Sequence, residues 1–253
     1  MRSFDLLMSS GFLCFSSHCG MLRALEDKGL APSAYVGTSS GALAAAMSAA
    51  GLSADEVARE LGGQRPIALC RPGRPSRSGF MSTRALVQRL RSVLPPTFEE
   101  LAKPCAVGVY DEAGLPLLVT SGDLPLAVAA SCAVPRLFKP LPLEGRGCCA
   151  ERGDVELQML ADSTSLYADG GAVDRTGYRA WQRWRPGHQG LVHLVSALQV
   201  GEYGTRDGVD DTCTNLLGVV RTPRARANFF SLRDFEGQVE LAAEAARQGL
   251  KGM

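Results

Sequence analysis

Long apolar runs are missing from this chain of 253 residues. No segment reaches the roughly 18 uninterrupted apolar residues a membrane-spanning helix needs, so none is expected. The stretch from Met1 to Met8 holds one Arg and a short apolar run. It lacks the longer apolar core and small-residue cleavage site of a secretory leader. Charge of one sign is missing too. The formal net charge is +1 and neither an acidic nor a basic tail is present, so global charge does not point to nucleic acid. Histidine is scarce, three in all, and none stands at zinc-ligand spacing from a cysteine pair. The eight cysteines contain no Cys-x-x-Cys pair, and several sit in apolar runs. They read as unbridged, buried thiols in a reducing compartment. Neither a metal nor an organic cofactor is expected. What remains is a cytoplasmic globular protein, with 45% apolar residues to build one large core.

What is present is an alternation of strand and helix. Phe4 to Met8 reads as a buried strand, followed by a turn at Ser9-Ser10-Gly11. His18 to Lys28 reads as a helix stopped by Gly29, Ala34 to Thr38 as a strand, and Gly41 to Ala50 as a helix of small residues. This order predicts an α/β fold with a mainly parallel sheet and helices on both faces. Ser53 and Glu56 predict a capping box for a helix to Leu61. Thr97 with Glu100 predicts another. Residues 62 to 82 read as a loop, and Thr83 to Leu94 as a helix. Cys105–Tyr110 and Leu117–Thr120 read as paired strands, and Leu124 to Ala133 as a helix. Residues 145 to 163 and 175 to 189 read as surface excursions, the second holding both tryptophans. Ser165 to Ala168 and Leu191 to Ala197 read as strands, 200 to 215 as polar loop, and Glu236 to Leu250 as a closing helix. Without repeats or a linker, one domain over 1–253 is the simplest account.

Three segments carry chemistry. Gly37-Thr38-Ser39-Ser40-Gly41 is a G-x-S-x-G elbow between a strand and a helix. A sharp turn there exposes a serine hydroxyl, flanking glycines avoid a clash, and the following helix N-terminus faces developing negative charge. Asp169-Gly170-Gly171 ends another strand, where a carboxylate backed by glycines can approach a second loop closely. Ser10-Gly11-Phe12-Leu13, after the first strand, offers backbone N–H groups for the other wall of an oxyanion hole. His18 reads as a packing or capping residue, and His193, inside Leu191-Val-His-Leu-Val195, as a core histidine.

In this order the three segments resemble the patatin-like phospholipase family. Gly20-Met-Leu-Arg-Ala-Leu25 is similar to the family's first helix. Val128-Ala-Ala-Ser-Cys-Ala-Val-Pro-Arg-Leu-Phe138 is similar to its A-x-x-A-S-x-A-x-P-x-x-F helix and turn. The resemblance covers about residues 5 to 175, and 176 to 253 would complete the same patatin-like domain. It implies a lipid acyl hydrolase with a Ser–Asp dyad. Ser39 matches the nucleophile, Asp169 the dyad aspartate and Gly11 one glycine of the oxyanion loop. Phe12 and Ser40 would supply neighbouring N–H groups. The family loop is rich in glycine; here it reads Ser9-Ser10-Gly11-Phe12-Leu13-Cys14-Phe15.

Two rivals stay open at this stage. One is an α/β-hydrolase triad of Ser39, Asp169 and His193, in the chain order such enzymes use. The other is a lipid-binding or scaffold protein with an inactive site, which the glycine-poor loop favours. The expected partner is a lipid acyl ester. Residues 61 to 98 carry seven Arg (65, 71, 74, 77, 84, 89 and 91) and no acidic residue. They read either as a solvated basic face or as a contact with anionic headgroups, through Arg65, Arg71, Arg74 and Arg77 above all. The second case would put a cytoplasmic protein at the surface of membranes or lipid droplets.

Overall fold

The computed structural model describes residues 3–76, 79–149, 158–159, 165–196, 209 and 213–253. Arg77, Ala197, and most of 145–163 and 200–215 lie outside the described residues, as does the side chain of Arg74. The chain opens as the alternation predicts, with β1 (Asp5–Met8), α1 (Phe15–Asp27), β2 (Ala34–Thr38) and α2 (Ser40–Ala49). Helix α3 (Ala54–Gly62) starts on the expected capping box: Ser53 Oγ accepts the Glu56 N–H and the Glu56 carboxylate takes the Ser53 N–H. The stretch read as a loop instead contains β3 (Arg71–Ser76) and β4 (Gly79–Ser82). This hairpin is held from outside, because the N–H groups of Phe80 and Met81 both donate to Leu137 O. Helix α4 (Arg84–Leu90) stops four residues before Leu94. The Thr97 hydroxyl donates to the Glu100 carboxylate at 2.9 Å but caps no backbone N–H, and only a single 3₁₀ turn follows.

Strands β5 (Cys105–Tyr110) and β6 (Pro116–Val119) pair antiparallel and lead to α5 (Leu124–Ser131). Then come β7 (Leu141–Pro142), β8 (Arg146–Cys149), β9 (Gln158–Met159) and β10 (Leu166–Asp169). The chain closes with α6 (Tyr178–Trp184), β11 (Gly190–Val195), β12 (Leu216–Thr222) and α7 (Phe235–Gly249). Among the described residues ten strands share one sheet, ordered β12-β11-β1-β2-β5-β6-β8-β9, with β10 on β5 and β7 on β10. The first five in that order are parallel.

One register detail positions the site. Strand β2 runs beside β5 only as far as Thr38 opposite Gly108. Beyond that point β10 takes up the same edge of β5, with Asp169 opposite Val109. The last residue of β10 therefore arrives where β2 turns away.

Side chains alternate between two cores, as the strand period of two requires. Leu6, Met8, Tyr35, Val107 and Leu191 face the larger core under α1, α2, α3, α5 and α7. Leu7, Val36, Ala106, Val192 and Leu194 face a smaller one closed by α6. Helices thus cover both faces, unequally. Gly20 lets α7 cross α1 closely, since a Cβ there would lie 2.6 Å from Ala242 Cβ and from Val239 O. Trp181, read as part of a surface excursion, is fully buried in the smaller core. Its Nε1–H donates to Asp5 Oδ2 at 3.0 Å, and Arg185 Nε donates to the same oxygen at 3.1 Å. Asp5 is fully buried. Asp5→Ala is expected to cost about 3–5 kcal/mol in urea unfolding, because it leaves the buried Trp181 N–H without an acceptor and Arg185 without its carboxylate. A change below about 1 kcal/mol would show that the pair contributes nothing.

Candidate active site

Strand β2 ends in a strained turn. Ser39 sits at φ +54° and ψ −119°, a region L-residues rarely occupy, and its C=O accepts the first bonds of α2. The flanking glycines are required by close backbone approach. A Cβ on Gly37 would lie 2.3 Å from Gly41 O, and one on Gly41 would lie 2.3 Å from Met8 O. The elbow is thereby pressed against the end of β1.

Asp169 reaches the elbow from the end of β10. Ser39 Oγ donates to Asp169 Oδ2 at 2.8 Å, and the Gly171 N–H donates to Oδ1 at 2.8 Å. Both residues are buried. Burial pushes the Asp169 carboxyl up to about 7, against the opposing pull of the Ser39 and Gly171 hydrogen bonds. Gly170 and Gly171 allow the approach. A Cβ on Gly170 would lie 2.6 Å from Gly108 O, and one on Gly171 2.4 Å from Ser10 Cβ. Beside Ser39 opens a narrow apolar cavity of about 70 Å³, walled by Phe12, Leu13, Leu43, Leu86, Val134, Phe138 and Phe229.

The sequence profile of the patatin-like phospholipases matches residues 6–180. The chain belongs to the patatin-like phospholipase family. No curated protein sequence matches it. Among solved structures it is similar to VipD from Legionella pneumophila, with a TM-score of 0.55 at 14% identity, over 98% of this chain and 66% of that one. It also matches the type III effector protein ExoU at TM-score 0.42 and 12% identity, over 98% of this chain. ExoU in its complex with SpcU from Pseudomonas aeruginosa gives 0.43 and 16%, again over 98% of this chain. The chain spans 52% of the length of both ExoU structures and just under two thirds of VipD. At this identity the likeness to VipD shows the fold.

In this patatin-like site the glycine-poor loop keeps a tight form. Cys14 N–H donates to Gly11 O at 3.0 Å, closing a turn over Phe12 and Leu13. Leu13 takes φ +55°, a conformation that favours glycine, so the loop carries strain. Among the described residues, the N–H groups of Gly11, Phe12 and Leu13 make no hydrogen bond. Ser40, the first residue of α2, has one of the unpaired N–H groups of a helix start.

Two residues that sequence reasoning left without a role hold this patatin-like machinery together. Ser131 Oγ accepts the Ser39 N–H at 2.8 Å and donates to Gly108 O at 2.6 Å, tying the elbow to β5. Its signal was present in the A-x-x-A-S segment, which specified a residue without saying what it does. Ser131→Ala is expected to cost about 1–3 kcal/mol in chemical unfolding, because it strands a buried N–H. Arg175 Nη2 donates to Ser10 O at 3.0 Å and to Val195 O at 2.7 Å, pinning the loop before Gly11. Nothing local in the sequence marked it.

Both histidines are buried, as the packing reading of His18 and the core reading of His193 expect, and two alternatives fall. His18 lies inside α1, which begins at Phe15, so it caps nothing. His193 contacts His18 and Thr222 through its two ring nitrogens, and neither contact is to Ser39 or Asp169. A Ser39–Asp169–His193 triad does not form. The basic stretch also divides. Arg89 pairs with Glu60, and Arg91 Nη2 with Asp123 at 2.7 Å. Arg65 and Arg71 are exposed and have no ion-pair partner among the described residues.

Proposed function

We propose that this chain hydrolyses acyl esters of lipids, with Ser39 as nucleophile and Asp169 as general base. The 2.8 Å hydrogen bond from Ser39 Oγ to Asp169, beside an apolar cavity, is the observation that carries this reading. The acyl chain enters the cavity while the ester carbonyl carbon faces Ser39 Oγ. Asp169 takes the hydroxyl proton as Oγ attacks, and the tetrahedral oxyanion is held by N–H groups of the Gly11–Phe12 turn and of Ser40. Collapse expels the alcohol, which recovers the proton, and leaves an acyl-serine. Water, deprotonated by Asp169, then releases the fatty acid. Burial suits the base. An ordinary aspartate, at 3.8, is too weak; one held near 7 is matched to a neutral reaction.

Residues 1–253 act as one domain in this reading, since β12 and α7 join the same sheet and helix layer as β1 and α1. No helix of the described residues is long and apolar enough to cross a membrane. Contact with an anionic lipid surface would use the exposed side chains near the cavity rim. Arg65, Arg71, Phe80 and Phe230 are all exposed, and Phe80 and Phe230 neighbour elements that line the cavity. Salt should then weaken liposome binding steeply.

A fluorescent fluorophosphonate tests the chemistry. Wild type is expected to label, and Ser39→Ala and Asp169→Asn variants of verified fold are not. Labelling that survives Ser39→Ala rejects the assignment. A wild type that neither labels nor cleaves any ester favours the inactive, lipid-binding reading, which the strained Leu13 turn supports.

A further inference from the structure

Behind the proposed oxyanion hole lies a buried polar chain that the reaction scheme does not use. Thr222 Oγ1 is 2.8 Å from His193 Nε2. His193 Nδ1 is 3.1 Å from His18 Nδ1. His18 Nε2 is 3.0 Å from Ser40 Oγ, which is 2.6 Å from Gly11 O. Both rings and Thr222 are buried. The chain ends on the residue after the nucleophile and on the glycine of the opposite loop.

With both rings neutral, the proton count along this chain has one solution. Gly11 O carries no proton, so the single hydroxyl proton of Ser40 goes to it. Ser40 Oγ must then accept from His18, which places the His18 proton on Nε2. His18 Nδ1 is left with a lone pair, so His193 must donate from Nδ1. His193 Nε2 then accepts the Thr222 hydroxyl proton. All four hydrogen bonds of the chain then run in the same direction. Burial, with the Arg175 charge adding to it, pushes His18 down to about 3, and burial beside His18 holds His193 well below its usual value. Both rings therefore stay neutral.

We propose that His18 is a positioning residue for the hydrolysis, acting with His193 and Thr222 as a neutral, one-way hydrogen-bond chain. It holds Ser40 and Gly11, the two walls of the oxyanion hole, at a fixed separation. The loop needs such support because Leu13 takes φ +55°, a conformation that favours glycine, and strains the turn. The catalytic part of this inference rests on the hydrolase reading; the tautomers do not.

Nitrogen NMR of ¹⁵N-histidine-labelled wild type tests the chain directly. His18 is expected as the Nε2–H tautomer and His193 as the Nδ1–H tautomer, with neither ring titrating while the protein is folded. The opposite tautomers, or a titrating ring, overturn the chain. Kinetics test its role. His18→Phe, which fills the ring space without a donor, is expected to lower kcat by about 10²-fold with KM within about two-fold. His18→Gln, whose amide N–H can still reach Ser40, is expected to recover most of the loss. A folded His18→Phe with wild-type kcat, or equal loss in both variants, overturns the positioning role. A wild type without esterase activity, but with the assigned tautomers, overturns the hydrolase reading and leaves the chain as a structural clamp.

Discussion

An Asp169→Asn variant is expected to be more stable than wild type at about pH 8 while losing roughly 10⁴-fold in ester hydrolysis. The two effects share one cause. The carboxyl is buried, and its folded-state value of about 7 lies well above the 3.8 of an ordinary aspartate. Below about pH 4 the folded and unfolded chains both hold the proton, and the site costs nothing. Between about pH 4 and pH 7 the unfolded chain releases the proton and the folded chain keeps it, so stability falls as pH rises. Above about pH 7 the folded protein bears the whole cost of a buried carboxylate. The gap corresponds to roughly 4 kcal/mol. Asn has the same shape and no charge, so its gain should be absent at about pH 4 and complete by about pH 8. Thermal unfolding at both pH values decides the matter, and an equal difference at the two would sink the argument. In wild type the same titration supplies the base, so kcat/KM should rise with pH through about 7 and then level off. A flat profile across that range would remove Asp169 from the role.

Gly41→Ala is expected to abolish labelling by fluorophosphonate and to cost about 3 kcal/mol or more. The added methyl would sit 2.3 Å from Met8 O and 2.7 Å from Ser9 O, both backbone atoms. Neither can swing aside as a side chain tip would. The first turn of α2 must therefore lift off β1, carrying Ser39 away from Asp169 and Ser40 away from Gly11. Overpacking against yielding side chains costs about 1–3 kcal/mol, and rigid backbone yields less. Gly73→Ala is the control, with its nearest neighbour at an ordinary 3.4 Å and an expected change within about 0.5 kcal/mol. Urea unfolding of the two variants measures the contrast. Wild-type stability and labelling in Gly41→Ala would show that the elbow has room it is not expected to have.

Much of the proposed site was legible because its demands are local. A nucleophile on a sharp turn needs glycines within two residues, and Gly37 and Gly41 stand there. A capping box needs only Ser53 and Glu56, three positions apart, and the helix begins as expected. The misreadings have the opposite character. Trp181 lies in a seven-residue helix among polar neighbours, and its burial comes from Leu7, Val36 and Val192 on three separate strands. The hairpin at 71 to 82 is rich in Gly, Pro and Arg, and is ordered by Leu137, more than fifty residues away. No local pattern encodes either contact.

By itself the sequence determined the α/β alternation, the family and which serine and aspartate end their strands, because periodicity and glycine placement act over a few residues. Only the tertiary structure decided that β10 takes over the edge of β5 where β2 leaves it, bringing Asp169 within 2.8 Å of Ser39 across 130 residues of chain. It alone set the carboxyl's environment, since desolvation depends on everything packed around a group. It also placed His18 against His193, 175 positions apart. Those properties belong to the closed sheet, whose register is fixed by contacts along the whole chain.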